Sequence, residues 1–461
     1  MTTPPPRSVS SRARRLAIAL SLLVFSADAA PGASDWREIL GPPQGGIPTP
    51  DTFAVEWRSD IAAALQEAQR ENRPVFATFR CLPCKQCSAF DKDVLEGGPK
   101  LTPLLTQFIT LRITDANALD LRLFPVADYQ DLDISWWGYF LSPQGQIYAI
   151  YGGRDHVSDA TRISEKSLVA TMERVLAHHY DPRRMSWNMD RPAPDLSGKA
   201  KPPSTLPGYQ TWKAKSNKHV HQQTCLHCHQ VNDILRTPAV EAGTFDALND
   251  FYTWPLPENV GIQLNRDHGL KVDRVEPNSP AAKTGLRPGD ILGAADGQRL
   301  FGQTDFRGVL HRGPKGAGSI DLVWSRNNAV MQGTLQVAPG WRQTILDWRM
   351  SVSQGVVGAY PGFFPIKTND GKRRKYGIPE GRMAATPFLG KKLQGPAVAA
   401  GLRRDHVITA IDGHQADIAG RAFLIWINQR YSPGDRITFS VRDSRKRDSE
   451  ISFQLPARHG D

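Results

Sequence analysis

Residues 74–87 read PVFATFRCLPCKQC, an apolar run followed at once by three cysteines. The run from Pro74 to Phe79 is rich in aromatic and β-branched residues, which predicts a buried strand. A Cys-x-x-Cys motif between a strand and a helix N-terminus lowers the pKa of a thiol, because the N–H groups of the first turn favour the thiolate. The stretch therefore predicts a reactive thiol site.

Composition limits the classes of protein to which the chain belongs. It has 461 residues, a formal net charge of +11, 40% hydrophobic residues and 22% charged residues. That length predicts about three domains, and the apolar content excludes a disordered or coiled-coil chain. The basic residues are scattered, apart from the short run from Lys372 to Lys375, for which we predict a solvated loop. We therefore expect no nucleic-acid partner.

The first 29 residues have the pattern of a signal peptide. Basic residues up to Arg15 precede an apolar stretch from Leu16 to Phe25, and Ala27-Asp28-Ala29 offers a cleavage site. The apolar stretch is well short of the roughly twenty residues that span a bilayer. We expect an exported, periplasmic protein that does not span the membrane after cleavage.

Segments rich in Pro, Gly and Ser divide the remainder. They predict linkers at 30–50 and 181–208, and folded units at 51–180, 209–254, 255–339 and 340–461. In the first unit, Ser59 is the predicted N-cap of a helix that starts near Ile61. The other predicted elements of this unit are a helix at Leu101–Thr106, a strand at Phe108–Ile113, a hairpin of Gly138–Leu141 with Gln146–Tyr151, and a helix at Glu165–His178.

With its helix, strand and Cys-x-x-Cys motif in that order, the unit 51–180 resembles exported thioredoxin-like proteins. Two registers are open, Cys81-Leu-Pro-Cys84 and Cys84-Lys-Gln-Cys87, and we favour the second because it restores the usual gap after the strand. The resemblance implies that Cys84 is the nucleophile and Cys87 the resolving thiol. Cys81 would trap a mixed disulfide or add a metal ligand. The chain departs from thioredoxins before the hairpin, where Ile134-Ser135-Trp136 stands in place of a cis-proline.

Two further cysteines form the motif Cys225-Leu-His-Cys228-His229. This is the covalent attachment pattern of haem c, in which the two thiols take the vinyl groups and His229 binds the iron. His219 and His221 are candidates for the sixth iron ligand. The alternatives are a zinc site that uses the same cysteines with these histidines, and a simple disulfide. The unit 209–254 is called the CxxCH segment below.

An internal repeat marks the C-terminal half. Pro280-Ala-Ala, Gly285-Leu and Asp296-Gly recur with equal spacing as Pro396-Ala-Val, Gly401-Leu and Asp412-Gly. The two copies resemble bacterial PDZ domains and are called the first (255–339) and second (340–461) PDZ-like modules. In the first, Asn259, Val260, Gly261 and Ile262 match the loop that holds a peptide carboxylate, which implies a protein or peptide partner. The second has no convincing match to this loop, so we predict a packing role for it.

The predicted fold class is α/β plus mainly-β, with an N-terminal thioredoxin-like domain followed by two PDZ-like domains. The sequence contains no Gly-x-Ser-x-Gly elbow, which argues against a serine hydrolase. The leading function is an exported thiol-disulfide redox protein, and thus a possible thiol-disulfide oxidoreductase, with haem c as a cofactor. The alternative is a non-catalytic scaffold that binds copper or zinc through the same cysteines.

Overall fold

The computed structural model describes residues 35–49, 54–79, 89–96, 101–134, 136–153, 163–216, 226–353, 358–389 and 395–457. The predicted signal peptide and four of the five cysteines, Cys81, Cys84, Cys87 and Cys225, lie outside these ranges. Cys228 lies within them.

A four-stranded mixed sheet forms the centre of the N-terminal unit. Its strands are β1 (Val75–Phe79), β2 (Ile109–Ile113), β3 (Trp136–Leu141) and β4 (Ile147–Gly153). They lie in the order β2-β1-β3-β4, with β1 parallel to β2 and antiparallel to β3. Every residue of β1 and β3 is buried, which explains why both read as continuous apolar runs rather than as alternating ones.

Helices accompany this sheet close to the predicted positions. They are α1 (Trp36–Ile39), α2 (Ile61–Glu71), α3 (Thr102–Leu105), α4 (Val126–Tyr129), α5 (Glu165–His179) and α6 (Arg184–Trp187), with a π-helical turn at Asp91–Leu95. The predicted N-cap of α2 was wrong by one residue. The carboxylate of Asp60, not the hydroxyl of Ser59, accepts the N–H of Ala63 at 2.9 Å.

The CxxCH segment has no separate core. Its helices are α7 (Tyr209–Lys215), α8 (Cys228–Glu241) and α9 (Ala247–Asp250). Trp212, Leu226, Val231 and Ile234 from this segment are buried in the same apolar cluster as the thioredoxin-like sheet. A segment of this length buries too little surface to fold alone, so it folds against the neighbouring unit.

The first PDZ-like module contains two small sheets. Its elements are β5 (Ile262–Leu264), β6 (Val272–Val275), α10 (Pro280–Thr284), β7 (Ile291–Ala295), β8 (Gln298–Arg299), α11 (Gln303–Arg312), β9 (Gly318–Arg326) and β10 (Ala329–Val337). The longer sheet has the order β10-β9-β7-β8, and β5 pairs with β6.

Helix α11 joins this module to the thioredoxin-like sheet. The N–H of Ile150 donates to Asp305 Oδ1 at 2.8 Å, and Thr304 Oγ1 donates to the carbonyl of Gly152 at 3.0 Å. These contacts satisfy polar groups along β4, the last strand of its sheet. As a result, α11 is buried from Gln303 to Leu310.

The second PDZ-like module has a five-stranded sheet in the order β11-β12-β13-β14-β15. Its elements are α12 (Met350–Ser353), β11 (Phe364–Lys367), α13 (Asp370–Tyr376), β12 (Ala385–Phe388), α14 (Pro396–Ala399), β13 (Val407–Ile411), α15 (Gly420–Asn428), β14 (Arg436–Arg442) and β15 (Asp448–Gln454). The solvated loop predicted for the basic run was wrong, since the run lies in α13. Its Arg373 is buried and donates to the carbonyls of Pro379 and Arg382 at 2.9 and 2.7 Å.

Within the described ranges, no helix combines the length and the apolar character needed to cross a membrane.

Candidate functional site

The end of strand β1 is the starting point of the candidate site. Phe79, its last residue, lies opposite Trp137 of β3, and their rings stack at a centroid distance of 4.8 Å. Both side chains are 2% exposed. The three clustered cysteines follow Phe79 in the sequence, with Cys81 two residues beyond it. The Phe79–Trp137 pair therefore marks the place where the thiol stretch leaves the sheet.

Cys228 of the CxxCH segment lies against the same tryptophan. The indole Nε1 of Trp137 donates to Cys228 Sγ at 3.4 Å. Cys228 is the first residue of α8, so its side chain is at the helix N-terminus, where the partial positive charge of the helix stabilises a thiolate. Cys228 thus lies at the end of the strand pair after which the other cysteine cluster follows in the sequence.

A carboxylate before β3 holds helix α8 in this position. Asp133 accepts from Asn232 Nδ2 of α8 at 3.1 Å. It also accepts from the backbone N–H and the hydroxyl of Ser351, at 2.8 and 2.7 Å. Asn232 is one helical turn after Cys228, so this contact fixes the end of α8 that carries the cysteine.

A second carboxylate in this loop forms a buried ionic cluster. Asp131 is 0% exposed and binds Arg307 of α11 at 2.7 Å and Arg349 at 2.8 Å. Burial alone raises the pKa of Asp131, but the guanidiniums of Arg349 and Arg307 outweigh it and hold this pKa below its ordinary value. Thioredoxins carry a cis-proline at this loop. Here, two ion pairs anchor the loop to the neighbouring units.

The ring of His229 is kept neutral. Burial, with a smaller contribution from the nearby His227, lowers its pKa to about 4 against the opposing charge of Asp133. The His227 and His229 rings are stacked at a centroid distance of 5.6 Å. Among the described residues, none makes a hydrogen bond to either ring nitrogen of His229. A neutral imidazole without a protein partner is a suitable metal or haem-iron ligand.

Of the residues predicted to hold haem c, the structure describes Cys228 and His229, which are neighbours at the start of α8. Cys225 and Cys228 would hold the group by thioether bonds, and His229 would bind its iron. When bound, haem would supply one-electron transfer. Cys225 lies outside the described residues, as do His219 and His221. For copper or zinc, the described part of the chain contains no group of three or more potential His, Cys, Asp or Glu ligands.

The predicted peptide-binding loop has a closed conformation. Residues Pro257–Val260 form a 3-10 turn, and the N–H of Gly261 donates to the carbonyl of Glu258 at 3.0 Å. Asn259 Nδ2 donates to the carbonyls of Trp341 and Gln343 at 2.9 and 2.8 Å. Val260 and Ile262 are buried in the module's core. The loop is present, but the structure shows its polar groups bound within the chain.

Sequence reasoning missed Asp131, Asp133, Arg307 and Arg349. One signal was available, since Asp131 and Asp133 alternate with the apolar Leu132 and Ile134 shortly before β3. Their partners are more than 170 positions away, with separations of 176 residues for Arg307 and 218 for Arg349. No local pattern predicts such pairs.

Comparison with known proteins agrees with this geometry. Residues 56–127, which include β1, the clustered cysteines and β2, match the thioredoxin-like family model. Residues 271–316, which run from β6 to beyond α11, match the family model of the PDZ domain. The chain contains a thioredoxin-like domain followed by a PDZ domain. The predicted fold class is thereby confirmed for both, and the structure adds a further β-rich region, the second PDZ-like module.

Individual relatives of this thioredoxin-like and PDZ-containing chain cover only parts of it. The magnetosome formation protease MamE of Magnetospirillum gryphiswaldense is 28% identical over 186 residues, which is 38% of this chain and 24% of that protein. The chain therefore spans about a quarter of the length of this curated relative.

Two solved structures of the HtrA-type protease AlgW are also similar. The one with decapeptide is 18% identical, covering 41% of this chain and 54% of that chain with a TM-score of 0.22. The one with tripeptide is 15% identical, covering 41% and 59% with a TM-score of 0.21. These scores add nothing to the assignment of fold.

Proposed function

We propose that this chain is an exported thiol-disulfide redox protein in which the thioredoxin-like cysteines exchange electrons with the CxxCH cysteines. The observation that carries the proposal is the contact of Cys228 Sγ with Trp137 Nε1 at 3.4 Å. Trp137 stacks on Phe79, after which the thiol stretch begins. A thioredoxin-like nucleophile in the stretch after Phe79 would attack a disulfide that is held beside Trp137.

The electrons of this exchange balance within the chain, because one cysteine pair is oxidised as the other is reduced. The Cys84 thiolate attacks one sulfur of a Cys225–Cys228 disulfide, forms a mixed disulfide and expels the other sulfur as a thiolate. Cys87, once deprotonated, then attacks the mixed disulfide and releases the second CxxCH thiolate. Two electrons pass to the CxxCH pair, and Cys84–Cys87 becomes the disulfide. If Cys81 and Cys84 are the active pair, the same steps apply with those two sulfurs.

A mixed-disulfide trap tests the exchange. In C87S the resolving thiol is missing, so the intermediate between Cys84 and a CxxCH cysteine should accumulate and appear in non-reducing peptide maps. The matched control C87S/C225S/C228S should show no such cross-linked peptide. If C87S accumulates only external adducts, the intramolecular exchange is wrong. A trap that forms in C84S instead would identify the Cys81 register.

Haem c is a second candidate for the CxxCH segment, favoured by the neutral, unbonded ring of His229. Two thioether bonds would consume the sulfurs of Cys225 and Cys228. Haem attachment therefore excludes disulfide exchange by this pair of cysteines. Protein exported from a host with working haem c maturation should then show a Soret band and a haem mass that survives acid acetone. Colourless protein of unmodified mass contradicts this candidate. H229A should shift the spectrum of a haem-bearing protein.

Partner docking is the second part of the proposed function. The PDZ domain suggests recognition of a protein or peptide, which would add a strand beside β5 with its carboxylate at Asn259–Ile262. This would bring a partner to the redox unit. The competing scaffold function, with copper or zinc on the cysteines, predicts a stoichiometric metal by elemental analysis and no mixed disulfide in C87S.

A further inference from the structure

The segment after β10 touches both the peptide loop and the cysteine-bearing helix. Residues 338–353, here called the strap, leave the first PDZ-like module and lead into the second. At its start, Trp341 is 9% exposed and belongs to the core of the first module. At its end, Ser351 lies beside Asp133 and α8.

The first half of the strap bridges the peptide loop and the end of α11. The carbonyls of Trp341 and Gln343 accept from Asn259 Nδ2. On the other side, the indole of Trp341 donates to the carbonyl of Pro314 at 3.0 Å, and Arg342 donates to the carbonyl of His311 at 2.7 Å. The strap thus ties the predicted carboxylate loop, through Asn259, to the C-terminal end of α11.

The second half of the strap binds the loop with Asp131 and Asp133, which positions α8 and Cys228. Arg349 is 0% exposed and binds Asp131 through both Nη atoms, at 2.8 and 3.1 Å. Ser351 accepts from Arg236 Nη1 and Asn232 Nδ2 of α8 at 2.7 and 3.1 Å. Buried hydrogen bonds to charged groups hold such segments firmly, because an uncompensated charge in the core is costly.

We propose that the strap is an autoinhibitory element that closes the peptide site of the first PDZ-like module and couples it to the CxxCH helix. A carboxyl-terminal peptide must displace Trp341 and free the N–H of Gly261 before it binds. Displacement of Trp341 moves the strap, which weakens the hydrogen bonds of Ser351 to α8 and the ion pair of Arg349 with Asp131. The inference rests on the docking part of the proposed function, and it assigns peptide occupancy as the regulator of the Cys228 site.

Opening the strap without a ligand tests the first half of this proposal. The probe is a pool of decapeptides with randomised, free carboxyl termini, with the amidated pool as the reference, titrated against the full chain. R342A removes the hydrogen bond from Arg342 to the carbonyl of His311, and W341A removes the indole ring of Trp341. Both should bind the pool about tenfold more tightly than the native chain, because a larger fraction is then competent to bind. R274A, an exposed arginine of the same module away from the strap, should bind like the native chain.

Hydrogen–deuterium exchange tests the coupling. In R342A, and in the native chain saturated with the pool, amides of α8 (Cys228–Glu241) should exchange several-fold faster than in the free native chain, while R274A leaves them unchanged. Tighter binding without faster exchange in α8 would overturn the coupling. Circular dichroism and thermal unfolding confirm that each variant is folded, and R342A serves alone if W341A is not.

The possible outcomes distinguish a failure of the strap proposal from a failure of peptide docking. If the native chain binds the pool as tightly as both opened variants, docking holds and the strap proposal is overturned. If no folded variant binds the pool, docking by this module fails, and with it the closing role of Trp341. The mixed-disulfide trap in C87S is independent of either result.

Discussion

Trp137 donates its indole N–H to the sulfur of Cys228 at 3.4 Å, across a separation of 91 residues. This bond joins the thioredoxin-like sheet to the CxxCH segment at the point where strand β1 ends. It brings the second residue of one cysteine motif, Cys228, to the strand end that precedes the other motif in the sequence. Two carboxylates of the loop just before β3 support this contact. Asp133 binds Asn232 of α8, and Asp131 binds Arg349.

D131N should destabilise the protein strongly. It removes the charge that pairs with the buried Arg307 and leaves Arg349 with Asp133 alone, at 3.3 Å, and breaking a buried pair costs about 3–5 kcal/mol. Urea unfolding followed by tryptophan fluorescence measures the change. D448N is the matched control, because Asp448 pairs with Arg442 at the surface and its side chain is 62% exposed. Its loss should cost below about 1 kcal/mol. A D131N effect no larger than that of D448N would contradict the structural role of the cluster.

G261A should destabilise the first PDZ-like module more than G285A. Gly261 has a φ of +85°, and a Cβ there would lie 2.1 Å from Ser279 Cβ. Gly285 has a φ of +90°, and a Cβ there would meet nothing within 4 Å. Both substitutions cost about 1–2 kcal/mol of backbone strain. The free energy of unfolding should fall further in G261A, and equal losses would show that Ser279 moves aside freely.

The same contact changes the design of a peptide-binding mutant. Replacing Gly261 with Val would not separate peptide binding from folding, because the new side chain would collide with Ser279 before any peptide arrives. Strap variants, rather than Gly261 variants, are therefore the proper test of docking.

The stability that Asp305 contributes should be lost as pH rises toward neutrality. Burial raises the pKa of Asp305 from its ordinary 3.8 to about 7, although the N–H groups of Ile150, Phe301 and Gly302 lower it. The folded state therefore holds a proton that the unfolded chain has already lost. This contribution is full below about pH 4 and disappears as pH passes through about 7. D305N, which mimics the protonated acid, should flatten the dependence of the melting temperature between pH 4 and 8. An unchanged slope in D305N would show that other groups cause it.

In the reduced protein, Cys84 should be alkylated first and Cys87 more slowly. The resemblance to thioredoxin-like proteins places Cys84 at the helix N-terminus, where the helix favours the thiolate. Timed alkylation with peptide mass mapping measures the order. Fastest labelling of Cys81 would favour the Cys81–Cys84 register. Equal and slow labelling of all three would favour an inert or metal-bound cluster.

Local sequence determined the elements and the fold class. The apolar run before Cys81 predicted β1, and the Ser-Pro-Gln-Gly turn predicted the β3–β4 hairpin. The Pro-Ala-Ala and Asp-Gly pairs of the first copy predicted a PDZ domain, and the structure has a further β-rich region at the second copy. These predictions succeed because strand burial, turns and caps depend on residues within a few positions of one another. The basic run from Lys372 was misassigned because its helix is stabilised by the burial of Arg373, which charge alone does not predict.

Only the tertiary structure decided which motifs belong together. Cysteine spacing gave two candidate sites, and the packing of α8 on Trp137 places Cys228 of one site at the end of the strand that leads to the other. The motif at Asn259–Ile262 indicated a peptide loop, and the structure adds that the side chain of Asn259 donates to the carbonyl of Trp341, 82 residues away. The buried Asp131 requires Arg307 and Arg349 from two other segments. Long-range pairing is set by the mutual fit of whole units and by the cost of leaving a buried charge uncompensated, and neither is written in the residues adjacent to a motif.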